Sequence, residues 1–149
     1  MKLEQAIKQK RFRSPYEKLI VNILFTSAWL NGVHGRRLKA FGLTWQQYNV
    51  LRILRGQHPS PATINLLKDR MLDKMSNASR LVEKLRLKGL AERNSCASDR
   101  RAVDVKITPA GLDLLAEIDA VSGEWETEFH ALDTREADRL NDLLDKLRG

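Results

Sequence analysis

Between Leu87 and Pro109 the hydrophobic period of the chain changes twice, and this change restricts the fold more than any other feature. Upstream, apolar residues return at mostly helical spacing: Tyr16, Leu19, Ile20, Ile23, Leu24, Leu30 and Leu38, then Tyr48, Leu51 and Leu54, then Ile64, Leu67 and Met71, then Met75 to Leu85. Val103, Val105 and Ile107 instead alternate with Asp104 and Lys106, which marks a strand. Leu90 to Asn94 is its partner strand, leaving Ser95 to Arg100 as a polar hairpin tip. Helical spacing then returns at Leu112, Leu115, Ile118, Trp125 and Phe129, and again at Leu140, Leu143, Leu144 and Leu147. The expected fold is mainly α with one small β-hairpin, and a chain of 149 residues has room for one domain, 1–149, around one main core.

Capping signals set the helix boundaries. Thr44-Trp45-Gln46-Gln47 has the capping-box spacing, and its helix stops at Gly56. Ser60-Pro61 offers an N-cap and a proline for the first helical position. Asp73 is the expected N-cap of the fourth helix and Gly89 its stop. Thr108-Pro109 opens a long fifth helix, and Asp133-Thr134-Arg135-Glu136 caps a sixth. Gly32 and Gly35 weaken the end of the first helix.

Charge points to a polyanionic partner. The net charge is +7 and the isoelectric point about 9.8. Residues 74–109 carry nine Lys/Arg against four Asp/Glu, whereas residues 110–149 carry four against eleven. A basic body with an acidic C-terminal element suits nucleic acid on one surface and something else on another. There is no apolar run of about 18 residues to span a membrane, and the N-terminus lacks the apolar core of a signal peptide. The one cysteine, Cys96, fits a reducing compartment. The expectation is a soluble, cytoplasmic protein.

The fourth helix carries two faces at 100° per residue. Met75, Ala78, Leu81, Val82 and Leu85 form an apolar side. Ser76, Asn77, Ser79, Arg80 and Lys84 form the other, with Lys74 just before it. Short polar side chains near a helix N-terminus allow close approach to base edges, and basic residues follow for bases or phosphate. Ser98-Asp99-Arg100-Arg101 then places two guanidinium groups at the hairpin tip, chemistry suited to a narrow minor groove, with Asp99 able to pair with one of them. Helix, turn, second helix and basic hairpin, in that order, are the layout of a winged helix–turn–helix.

At these residues the sequence resembles the MarR family of regulators. The likeness rests on Met75 to Leu85, on Lys88-Gly89-Leu90-Ala91-Glu92-Arg93, and on Asp99-Arg100-Arg101 followed by Ile107-Thr108-Pro109-Ala110-Gly111, where Ile107 replaces the usual Leu. The resemblance implies major-groove contacts from Ser76, Asn77, Ser79 and Arg80, and a minor-groove contact from Arg101 with Asp99 orienting it. It implies a homodimer whose terminal helices (1–40 and 110–149) intertwine around a DNA-binding lobe (44–109). Such a dimer binds double-stranded DNA at a pseudo-palindromic operator, most often as a repressor. Leu3, Ala6 and Ile7, with Leu140, Leu143, Leu144 and Leu147, are too apolar for free tails. The family likeness also implies a crevice for a small aromatic or anionic effector, with Trp29, His34, Trp45 and Tyr48 on helices near it, although such aromatics are more often core.

Other chemistries find little support. His34, His58 and His130 lie far apart, without zinc spacing, and Gly32-Val33-His34-Gly35-Arg36-Arg37 matches no phosphate loop. The acidic residues of 113–145 read as solvated helix surface. No enzyme activity, metal or cofactor is expected. Cys96 reads as incidental rather than an oxidant sensor. The competing readings are a winged-helix module for protein contact and a sequence-tolerant DNA binder.

Overall fold

The computed structural model of the protein describes residues 1–95 and 103–149. The chain begins with a short helix, α1 (Leu3–Ala6), and a long one, α2 (Pro15–Lys39). Ser14 caps α2, its hydroxyl accepting from the Glu17 N–H at 3.1 Å, and Pro15 fills the first helical position. Despite Gly32 and Gly35, α2 runs unbroken to Lys39. Helix α3 (Trp45–Gln57) starts with the expected capping box. The Gln47 N–H donates to Thr44 Oγ1 and the Thr44 N–H to Gln47 Oε1, both at 3.1 Å.

The next segment departs from the sequence expectation. Ser60-Pro61 does not open a helix. Ala62–Thr63 forms a strand, β1, and α4 (Ile64–Arg70) begins after it, with Thr63 Oγ1 accepting from the Leu66 N–H at 3.1 Å. The cause is non-local: Ala62 and Thr63 pair antiparallel with Val105 and Asp104, more than forty residues away. That pairing buries Ala62, an outcome no local helix signal encodes.

Helix α5 (Ala78–Leu87) leads into strands β2 (Ala91–Ser95) and β3 (Val103–Ile107), which pair antiparallel from Ala91↔Ile107 to Ser95↔Val103. The sheet order is β1-β3-β2. Helix α6 (Pro109–Glu126) begins at Thr108, passes into a single 3-10 turn (Thr127–Phe129), and α7 (Thr134–Arg148) follows with an Asp133–Glu136 capping box. Phe129 therefore sits on the 3-10 turn rather than on the fifth helix of the sequence reading.

Val50, Leu51, Leu54, Leu67, Val82, Leu85, Val105, Leu115 and Ile118 meet in one core. It is shared by α3, α4, α5, the sheet and the first half of α6. Helix α2 adds Leu38 to this core and otherwise buries only Val33, and α7 buries nothing. Tyr16, Ile20 and Leu24 on α2 stand exposed, as do Leu140, Leu143 and Leu147 on α7.

The base of the hairpin is locked to the end of α5. Leu90 N–H donates to Leu85 O at 3.0 Å and Gly89 N–H to Arg86 O at 2.9 Å, with Gly89 at φ 72°, the left-handed closure that glycine adopts without penalty. Thr108 then clamps that turn: its hydroxyl donates to Gly89 O at 2.7 Å and its N–H to Leu90 O at 3.1 Å. Gly111 fits beneath, where a Cβ would lie 2.4 Å from Leu90 O and 2.6 Å from Ile107 Cγ1. Gly111→Ala is expected to cost about 1–3 kcal/mol, as an overpacked core site does. Gly56→Ala, with open space around it, is expected to be neutral or to gain up to about 1 kcal/mol. Urea denaturation of both variants checks this, and equal midpoints would show that the junction tolerates a side chain.

Candidate nucleic-acid interface

Helix α5 presents one face to the core and the other outward. Ala78, Val82 and Leu85 are fully buried and Leu81 is half-buried, whereas Ser79, Arg80 and Lys84 are exposed. The outward acid, Glu83, is engaged by Arg86 at 2.7 Å and lies 3.6 Å from Arg93 of β2. The Arg86 hydrogen bonds hold the Glu83 carboxyl below its usual range. Its charge is therefore balanced locally, and among the described residues Arg80 and Lys84 make no ion pair.

The turn before α5 differs from the sequence reading. Asp73 is not the N-cap; Asn77 is, its Oδ1 accepting from the Arg80 N–H at 3.0 Å. Asp73 instead organises the turn, accepting from the Ser76 hydroxyl at 2.7 Å and the Met75 N–H at 3.0 Å. These bonds, the Ser76 hydroxyl first, hold its carboxyl below the ordinary range. Lys74 folds back, its Nζ donating to Lys68 O at 3.1 Å and to Asp69 O, which satisfies carbonyls at the end of α4. Met75, expected in the core, is 94% exposed because it lies in this turn, ahead of the helix. The helical wheel placed Ser76 and Asn77 on the outer face of a helix that starts only at Ala78. Of the six contact residues expected here, Lys74, Ser76 and Asn77 build the turn, and Ser79, Arg80 and Lys84 face outward.

Strands β2 and β3 form the stem of a wing beside α5. Cys96, Asp99, Arg100 and Arg101 lie outside the described residues. The sequence reading missed Lys88, whose Nζ donates to Gln47 Oε1 at 3.1 Å and to Gly42 O. It adds a second donor to Gln47, the one buried polar residue among the described residues, and ties the end of α5 to the start of α3.

A cleft of about 280 Å³ opens between α3 and α6, with His34, Tyr48, Arg52, Asp119, Trp125 and Phe129 among its walls. Two of the four expected ligand residues, His34 and Tyr48, therefore meet there. Trp29 stacks edge-on against Phe129 (5.9 Å between centroids) but lines a separate groove with Leu3 and Phe25. Trp45 packs against the core and does not line the cleft. Arg37 reaches from α2 to the far wall, pairing with Glu128 at 2.6 Å, donating to Trp125 O at 3.2 Å and lying 5.5 Å from the Trp125 ring centre. Burial, and then the charge of Arg37, push the His34 imidazole below its ordinary range, with Glu128 pulling the other way.

Two packed helices joined by a turn, followed by a two-stranded wing that completes a three-stranded sheet with β1, define a winged helix–turn–helix. The sequence model of the MarR family matches residues 41–102, which span α3, α4, α5 and β2 of this unit. The fold of the chain is also that of a MarR transcription factor from Planctomyces limnophilus, at 29% identity over 93% of this chain and 98% of that one, with a TM-score of 0.67. Staphylococcus aureus MepR in complex with DNA is similar at 21% identity, 92% and 97% coverage and a TM-score of 0.73. An organohalide-sensing transcriptional regulator in its 2,4-dichlorophenol-bound form is similar at 19% identity, 94% and 85% coverage and a TM-score of 0.83.

The lowered His34 titration has a signed consequence. A histidine whose folded pKa is depressed contributes stability above its unfolded value of about 6.5, and loses it as pH falls through the folded one. Wild type is expected to lose more denaturation midpoint between pH 7.5 and 5 than His34→Asn does. An identical loss in both would remove His34 from the acid response.

Proposed function

We propose that the protein is a sequence-specific DNA-binding transcriptional regulator that acts as a homodimer, most simply as a repressor. The observation that carries this reading is the outward face of α5, where Ser79, Arg80 and Lys84 stand exposed without an ion-pair partner among the described residues, on a helix fixed by its buried side. In this reading α5 enters the major groove and Ser79 and Arg80 meet base edges there, while Lys84 meets phosphate. The roles of Lys74, Ser76 and Asn77 are to seat the helix. Arg100 and Arg101 reach the minor groove from the wing, with Asp99 orienting Arg101. The DNA complex of the related MepR supports this mode of use.

The exposed apolar faces of α2 and α7 support pairing of two chains through residues 1–40 and 110–149, with 44–109 as the DNA-binding lobe. A two-fold dimer sets its two α5 helices about 34–36 Å apart, one turn of a pseudo-palindromic operator. The cleft supports a further step. Arg52 and His34 beside Trp125 and Phe129 suit a small aromatic compound with an acidic group, and the neighbour bound to 2,4-dichlorophenol favours this chemistry. A compound wedged between α3 and α6 shifts the lobes and with them the helix spacing.

Fluorescence anisotropy with the upstream intergenic DNA and a scrambled duplex tests the function. The specific site is expected to bind about 10³-fold or more tighter than the scrambled one, with affinity falling steeply as salt rises. Arg80→Ala and Arg101→Ala are expected to erode selectivity, and Lys84→Ala to lower the salt slope by about one contact. A particle of single-chain mass in sedimentation, or no preference for any duplex, would overturn the reading. Adding 2,4-dichlorophenol is expected to quench tryptophan fluorescence and weaken DNA binding in wild type but not in Arg52→Ala. An unchanged spectrum and affinity would remove the effector step.

A further inference from the structure

Met75 is the most exposed large apolar side chain after the terminal Met1, at 94%, and it contributes nothing to the core. Its backbone, by contrast, is held on both sides. The Met75 N–H donates to Asp73 Oδ1 at 3.0 Å, and Ser76 is bound to the same carboxylate. Lys74 is tied to the last carbonyls of α4, and Asn77 caps α5. A turn organised this closely by polar groups displays a flexible thioether to solvent two residues before the cap of the outward-facing helix. Residues at the N-terminus of such a helix contact base edges in the groove it enters, and Met75 lies in the turn just ahead of them.

We propose that Met75 is a specificity-determining contact that packs on the C5-methyl group of a thymine in the major groove. This rests on the DNA-binding reading above. The thymine methyl is the one apolar group exposed on the floor of that groove, so an apolar side chain there distinguishes thymine from cytosine, which lacks it. Methionine suits the task because its unbranched thioether adapts to a small apolar target without a fixed shape. The charges nearby favour DNA over an apolar protein partner: Arg80 and Lys84 on the exposed face of α5 are cations without an ion-pair partner among the described residues. Leu87 provides the contrast, being 70% exposed at the opposite end of α5, about 15 Å along the helix axis, where no base contact is assigned.

The test is a double-substitution cycle. A duplex is selected by the full-length protein from a random-sequence pool, and its thymines are replaced one at a time by deoxyuridine, which deletes the methyl group alone. At one thymine per half-site, wild type is expected to lose about three- to fivefold in affinity, the value of burying one methyl group. Met75→Ala is expected to bind the parent duplex more weakly by the same factor and to show no further loss on the deoxyuridine duplex. Leu87→Ala is expected to behave as wild type. Circular dichroism and unfolding midpoints confirm that the Met75→Ala fold is intact, which the exposure of the side chain leads us to expect. Full additivity of the two losses, or no loss at any thymine, overturns the methyl contact while leaving DNA binding standing. A pool that yields no preferred duplex overturns sequence reading itself and the Met75 assignment with it.

Discussion

Ala78, Val82 and Leu85 lose all of their exposed surface where α5 packs against α3, α4 and β2, and the outward aim of Arg80 and Lys84 follows from that burial. Burying a valine or leucine contributes about 1.5–3 kcal/mol. A rotation of α5 by one residue, 100° about its axis, would forfeit two such side chains at once. Ala78 matters for a second reason. At the first position of the helix a small residue lets its N-terminus lie flush with the core, so the polar turn before it is carried to the surface without a gap. The surface face of α5 is thus set by its hidden one, and a basic residue at position 80 points outward whatever its own propensity.

The turn between α4 and α5 then converts a buried helix into a presenting one. Four of the five residues from Asp73 to Asn77, all but Met75, use their polar side chains on backbone atoms or on one another. Each bond contributes only about 0.5–1.5 kcal/mol net. Their joint effect is to fix where α5 begins. A helix that starts one residue early would spend Asn77 as an ordinary helical side chain and lose its cap, at a cost of about 1 kcal/mol.

The order of elements was legible because it is written locally. The capping boxes at Thr44 and Asp133, the Thr108-Pro109 start and the Gly89 stop are all short-range signals, and each lies where the chain announces it. The alternation of Val103, Val105 and Ile107 likewise names its own strand. Strand β1 was not legible, since Ala62 and Thr63 extend only because β3 offers them partners from across the sheet. The start of α5 failed for a different reason. Asp73 and Asn77 are both good caps, and Met75 completes an apolar stripe that looks continuous with Ala78. The choice between them is made by Lys74 reaching back to α4 and by Ser76 closing on Asp73, two side-chain bonds that spacing alone does not express. For the candidate cleft, helical period showed that His34 and Tyr48 lie on neighbouring helices. It could not show that Trp45 packs on the core while Arg52 and Asp119 line the opening.

The two seams around that cleft are unequal. Arg37 has three partners, Glu128, the Trp125 carbonyl and the Trp125 ring, and its side chain is only 15% exposed, so its charge is poorly screened and its rotamer is held. On the other side Arg55 of α3 meets Asp119 of α6 at 2.6 Å, but the pair is 31% and 49% exposed, in the range where such a bridge contributes about 0–1 kcal/mol. The fold therefore has a firm edge along α2 and a soft one along α3, the helix that packs directly on α5. A small change in charge or volume between them is resisted at Arg37 and taken up at Arg55. Lys88 on Gln47 ties the end of α5 to α3, so the outward face is positioned by α3 as well as by the shared core.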